Sequence, residues 1–171
     1  QLLCLLSIFL YCALLRNNNP LIFIVTISSK ILTLPLFLYP LRLKIFNDIS
    51  RFQAPNPVVT IGIFDGVHRG HIEILNRIKE LAALYKGDSV VITLWPHPRF
   101  VLQPDNNELR LLASLDEKIE LIEKQGIDNL IILSFDKQLA NITYDRFVSD
   151  YIVGIIKARH VVVGFNHHFG K

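Results

Sequence analysis

The sequence predicts an α/β fold built on a doubly wound parallel sheet, and three observations predict it. Within residues 43–171, four short β-branched apolar runs alternate with three amphipathic stretches of helical period. A glycine-rich turn joins the first of these runs directly to the first helix. The segments richest in chemically active side chains all follow strands, and right-handed crossovers would gather such segments at one edge of the sheet.

Residues 1–42 form a hydrophobic leader in which 27 residues are apolar and the only charges are Arg16, Lys30 and Arg42. The apolar run 2–15 is shorter than the roughly 20 residues a spanning helix needs, and Lys30, Pro35 and Pro40 interrupt the next one. No basic start marks a signal peptide. The leader is read as translated upstream sequence, with Leu43 standing for an alternative start; a membrane anchor is the rival reading. It accounts for the whole net charge of +3, since residues 43–171 hold 15 Lys plus Arg against 15 Asp plus Glu. A nucleic-acid surface is therefore not implied. Cys4 and Cys12 also lie in the leader, where they read as small apolar fillers, so the remainder has no disulfide framework.

The first strand is expected at 58–61, entered through Pro55 and Pro57 and closed by Gly62. Gly62-Ile63-Phe64-Asp65-Gly66-Val67-His68-Arg69-Gly70-His71 follows. Asp65-Gly66 supplies a turn in which Gly66 tolerates positive φ, and Gly70 permits close approach of the backbone. Leu75, Ile78, Ala82 and Tyr85 then share one helical stripe until Gly87 ends it. His68 and His71 flank the helix start, where free NH groups and the helix dipole favour an anion, and both rings can donate to it.

The second strand, 89–94, runs into Trp95-Pro96-His97-Pro98-Arg99, a stiff loop that offers His97 as a contact residue. Residues 103–110 are a polar connection with the composition of a lid. Ser114-Leu115-Asp116-Glu117 is a capping box for a helix over 115–125, which carries a Glu120 to Lys124 pair and stops at Gly126. A third strand is expected at 130–133. Thr143 caps another helix with Phe147, Tyr151 and Ile155 as its apolar stripe, and the charges of both helices read as solvated faces. The fourth strand, a buried one over 160–163 with His160 in a structural role, ends in Gly164-Phe165-Asn166-His167-His168-Phe169-Gly170-Lys171. That loop suits a planar, phosphorylated ligand; adjacent His167 and His168 lack the further ligands of a zinc site.

The strand, the Gly-x-Phe-Asp-Gly-x-His-x-Gly-His wording and the helix resemble the signature of the nucleotidyltransferase superfamily. Together with Trp95 to Arg99 and the Val163 to Gly170 segment, they are most similar to bacterial bifunctional riboflavin kinase and FMN adenylyltransferase, the FAD synthetases. The resemblance implies a Rossmann-like fold and transfer of AMP from ATP to FMN, giving FAD and pyrophosphate. It implies ATP contacts at Gly62, Phe64, Asp65, Gly66, His68, Gly70 and His71, with His68 and His71 catalytic. FMN contacts fall at His97, Pro98 and Asn166. Mg2+ would accompany ATP, no residue is singled out as a metal ligand, and the setting is cytoplasmic with small-molecule partners only, unless the leader is a true anchor. Ile63 departs from the asparagine the family often carries there. Residues 43–171 would be an adenylyltransferase domain incomplete at its C-terminus, with riboflavin kinase activity confined to a missing domain. A cytidylyltransferase of the glycerol-phosphate type and a catalytically silent nucleotide-binding fragment are the alternatives.

Overall fold

The computed structural model describes residues 10–11, 22–27, 30–35, 43–103 and 110–164. The chain divides into two compact units, Gln1–Leu41 and Arg42–Lys171. In the first, β1 (Leu10–Tyr11), β2 (Ile22–Ile27) and β3 (Lys30–Pro35) form an antiparallel sheet in that order, with Ile27 opposite Lys30 and Ile22 opposite Pro35. The leader, which fits no class by sequence, is thus strand where it is described; Ile-Phe-Ile-Val-Thr-Ile is a strong β-former. Cys4 and Cys12 lie outside the described residues. Among the described residues no helix is long and apolar enough to cross a membrane.

The second unit is a five-stranded sheet, every pairing of which is parallel. Its strands are β4 (Lys44–Phe46), β5 (Val58–Gly62), β6 (Ser89–Trp95), β7 (Asn129–Ser134) and β8 (His160–Val162), in the spatial order β4-β7-β6-β5-β8. From β5 the chain winds through β6 to β7 on one side, then returns to place β8 on the other. The reversal beside β5 is a topological switch point, where doubly wound sheets open a crevice at the carboxyl ends of their strands. The expected fold class is therefore what forms, with β4 as a strand that sequence reading missed. Three residues show no periodicity, and it is pairing with β7 that makes them a strand.

Side chains alternate across the sheet with period two. Val58, Val91, Leu130 and Ile132 face α1 (Arg69–Leu84) through Leu75, Ile78 and Ala82, with Ile122 of α3 in the same cluster. Val59, Ile61, Val90, Ile92, Ile131 and Leu133 pack on the other face against Phe52, Phe147, Ile152 and Ile156. Two buried layers on a parallel sheet explain the continuous apolar strand sequences.

The helices correct several expectations. Besides α1 they are α2 (Pro98–Leu102), α3 (Leu115–Lys124), α4 (Lys137–Ala140) and α5 (Tyr144–Arg146). The capping box of α3 forms as expected: Glu117 N donates to Ser114 Oγ, and Ser114 N donates to the Glu117 carboxylate at 2.8 Å. The end of α1 differs. Lys86 takes the left-handed conformation (φ 52°), while Lys86 N and Gly87 N donate to Ala83 O and Ala82 O in a Schellman arrangement. Gly87 has another reason to be glycine, because a Cβ there would stand 2.0 Å from the Asn56 carbonyl oxygen. Thr143 makes no side-chain cap, and α5 passes into a π-helical segment, Phe147–Ile155. In that register the buried residues are Phe147, Ile152 and Ile156 rather than Phe147, Tyr151 and Ile155, and Ile155 is 38% exposed. β8 is an edge strand with Val161 46% exposed, not a buried one, and His160 stacks on Tyr85 at 3.9 Å. Finally, Lys118 is not on a solvated face: it is 1% exposed.

Candidate active site

At the carboxyl end of β5 the chain makes a tight, strained turn before α1. Gly66 has φ 75° as expected, and Phe64 (φ 51°) and Val67 (φ 38°) are also left-handed. For a β-branched valine this conformation costs on the order of 1–3 kcal/mol and persists only where surrounding structure over-determines it. What holds it is Asp65. Its carboxylate accepts from Leu112 N at 3.0 and 3.1 Å and from Ala113 N at 3.0 Å, tying the turn to the segment that enters α3.

His68 is the N-cap of α1, its Nδ1 accepting from His71 N at 3.4 Å. The two rings stack with centroids 3.7 Å apart and planes 17° apart. Gly70 makes this possible, because a Cβ at that position would come within 3.2 Å of the His68 ring. His71 in turn rests on Phe64, centroids 4.9 Å apart, and Phe64 is a buried floor at 1% exposure. Burial, reinforced by the neighbouring His68 and only opposed by Asp65, lowers the His71 pKa to about 4. Its Nδ1 is buried and has no hydrogen-bond partner among the described residues.

β6 delivers the second part. Its last residue, Trp95, precedes a cis Trp95-Pro96 bond, and His97 caps α2 by accepting from Arg99 N at 3.1 Å, with Pro98 at the first helical position. His97 is buried, which lowers its pKa. Because Nδ1 of His68 and of His97 each accept a backbone NH, the neutral rings carry their proton on Nε2. Each is therefore a hydrogen-bond donor on its far side. Gly62 sits close under Phe64, where a Cβ would approach the ring to 3.0 Å, and Ile63 O accepts from Thr93 Oγ1 at 3.0 Å.

The structure thus brings Asp65, Gly66, His68, Gly70 and His71 together at the end of β5, with His97 and Pro98 at the end of the adjacent β6. Asn166, with His167 and His168, lies outside the described residues, as do residues 104–109 of the polar connection. Sequence reasoning missed Lys118, whose ammonium lies 5.3 Å over the Trp95 ring and whose charge acts on both His71 and His97. A signal was present, since Lys118 stands three residues after Leu115 and four before Ile122, on the apolar stripe of α3. Among the described residues no group of three His, Cys, Asp or Glu could hold a metal ion. The site can donate hydrogen bonds to an anion at a helix start and supply a buried cation beside it.

Comparison with known proteins gives consistent matches. The family profile described as FAD synthetase matches residues 51–171. The bifunctional riboflavin kinase/FMN adenylyltransferase of Listeria monocytogenes is 34% identical over 116 residues, covering 68% of this chain and 37% of the relative. That of Bacillus subtilis is 34% identical over 125 residues, 73% and 39% respectively. The Escherichia coli protein of the same name is 33% identical over 124 residues, 72% and 39%. This chain therefore spans well under half the length of these curated relatives. A crystal structure from Streptococcus pneumoniae, described as a macrolide-efflux protein, superposes with a TM-score of 0.64 at 27% identity over 74% of this chain and 42% of that one.

Proposed function

Since the chain belongs to the FAD synthetase family, we propose that its second unit, residues 43–171, carries FMN adenylyltransferase chemistry, with the leader outside the enzyme. An oxygen of the FMN phosphate attacks the α-phosphorus of ATP, the bond from that phosphorus to the bridging oxygen breaks, and pyrophosphate leaves. The nucleophile is already an anion near neutral pH, so no proton has to be removed. What the protein supplies is orientation and charge.

The observation that carries this reading is the stacked pair His68 and His71 around Gly70 at the start of α1, beside the switch point of the sheet. His68 donates from Nε2, and the first free NH groups of α1 add donors for the triphosphate. His71, held neutral, serves as a hydrogen-bonding group and not as a charge. Magnesium would enter as part of the substrate, chelated by ATP. Gly62, Phe64, Asp65 and Gly66 shape the ATP side by fixing the turn. His97 and Pro98 are assigned to the FMN side by their place after β6, and Asn166 is assigned to FMN on its sequence context alone. The reaction is assigned to the cytoplasm, with ATP and FMN as its small-molecule substrates; phosphorylation of riboflavin is not assigned to this unit.

The test is titration of the 171-residue chain with MgATP, MgCTP, FMN and glycerol 3-phosphate, followed by chromatography for FAD. Binding of ATP and FMN supports the reading, and FAD formation completes it. Preference for CTP and glycerol 3-phosphate would replace it with a cytidylyltransferase. ATP and FMN binding with no turnover even in a longer chain would make it a silent nucleotide-binding module.

A further inference from the structure

Lys118 is placed against every ordinary preference for a lysine. It lies near the N-terminus of α3, where the helix dipole disfavours a cation, and it is 1% exposed. Buried cations are normally paired with a carboxylate. The Lys118 ammonium forms no ion pair or hydrogen bond among the described residues; what it has is the face of Trp95 at 5.3 Å. The nearest acid that acts on it, Asp65, is committed to Leu112 N and Ala113 N. A buried lysine without a counter-ion gives the fold little stability.

Its surroundings say what it is for. The Lys118 ammonium lies over Trp95, the last residue of β6, and its charge reaches both His71, at the start of α1, and His97, in the loop after β6. The histidines there are neutral donors, which orient an anion without neutralising it. Two anions meet in the reaction. MgATP brings its own cation, whereas the phosphate of FMN is a dianion that arrives with none.

Resting on the adenylyltransferase reading, we propose that Lys118 is a binding residue for the phosphomonoester of the flavin substrate, holding that dianion between His71 and His97 as it attacks ATP. The ion pair forms only when FMN is bound, and Trp95 keeps the ammonium in place beforehand.

The experiment compares FMN with riboflavin, which lacks the phosphate, by flavin fluorescence titration of the full chain, with MgATP affinity measured in parallel. The expected result is that Lys118→Met weakens FMN about 10-fold or more, as loss of a charge-assisted contact does, while riboflavin and MgATP change less than about 2-fold. Lys118→Arg should keep the preference for FMN. Methionine preserves the apolar stem, so its packing loss is small; should that variant fail to fold, Lys118→Gln is read in the same way. An unchanged ratio of FMN to riboflavin affinity, equal losses of both flavins, or a loss confined to MgATP would each overturn the assignment while leaving the enzyme reading intact. A wild-type chain that binds neither ATP nor flavin would overturn the enzyme reading itself.

Discussion

Replacing Asp65 separates two roles that the same carboxylate could have. Its two oxygens accept from Leu112 N and Ala113 N at 3.0 to 3.1 Å. Ala113 is 5% exposed, so in Asp65→Ala its NH is left buried without an acceptor, a penalty of about 1–3 kcal/mol. Leu112 is 79% exposed, so its NH turns to water and adds at most about 1 kcal/mol. The expected loss is therefore about 1–4 kcal/mol, read as a lower urea midpoint with an unchanged slope. Asp65→Asn keeps one acceptor oxygen for both donors and should lose only about 1 kcal/mol, the charge-assisted part. If the carboxylate acts through this tie, Asp65→Asn retains ATP affinity. An Asp65→Ala variant within about 0.5 kcal/mol of wild type, or an asparagine variant as damaged as alanine, would refute the reasoning.

Three other outcomes are expected. His68→Asn keeps a good N-cap and removes the ring, so the urea midpoint should hold within about 0.5 kcal/mol while ATP affinity falls about 10-fold or more in calorimetry. His71, with its folded pKa lowered to about 4, stays neutral while the unfolded chain takes up a proton near 6.5. Stability from this group is therefore complete above about pH 6.5 and is lost as the pH falls toward 4; allowing for a half-exposed ring, the loss is of order 1–2 kcal/mol, seen as the difference between wild type and His71→Gln in urea titrations across that range. Gly87→Ala drives a Cβ to 2.0 Å from the Asn56 carbonyl and should lower the thermal midpoint by an amount equivalent to about 3 kcal/mol, whereas Gly126→Ala, with open space around it, pays only the left-handed strain of about 1 kcal/mol.

Much of this molecule was legible in order along the chain. Strands β5, β6 and β7 announced themselves as β-branched runs, the capping box of α3 was written in Ser114 and Glu117, and Gly66 stood where positive φ was required. His68, His71 and His97 were found because glycines and prolines marked their loops. What could not be read depends on contacts between distant segments. β4 exists by pairing with β7, and Gly87 is fixed by Asn56, some thirty residues earlier. The π-helical register of Phe147–Ile155 shifts the buried set by one residue, which a period of 3.6 does not anticipate. Lys118 was misread because charge alone was taken as a sign of solvent, although its place on the stripe of Leu115 and Ile122 spoke for burial.

The two histidine caps give each ring a mechanical duty. Nδ1 of His68 fastens the first turn of α1, and Nδ1 of His97 fastens that of α2. Burial holds the His97 pKa below its ordinary value, so its Nδ1 keeps the lone pair that the Arg99 NH uses until a proton displaces it in acid. Both caps stand just beyond the carboxyl ends of two adjacent strands, β5 and β6. The rings proposed to meet the substrate are also the pins on which the first turns of α1 and α2 are hung.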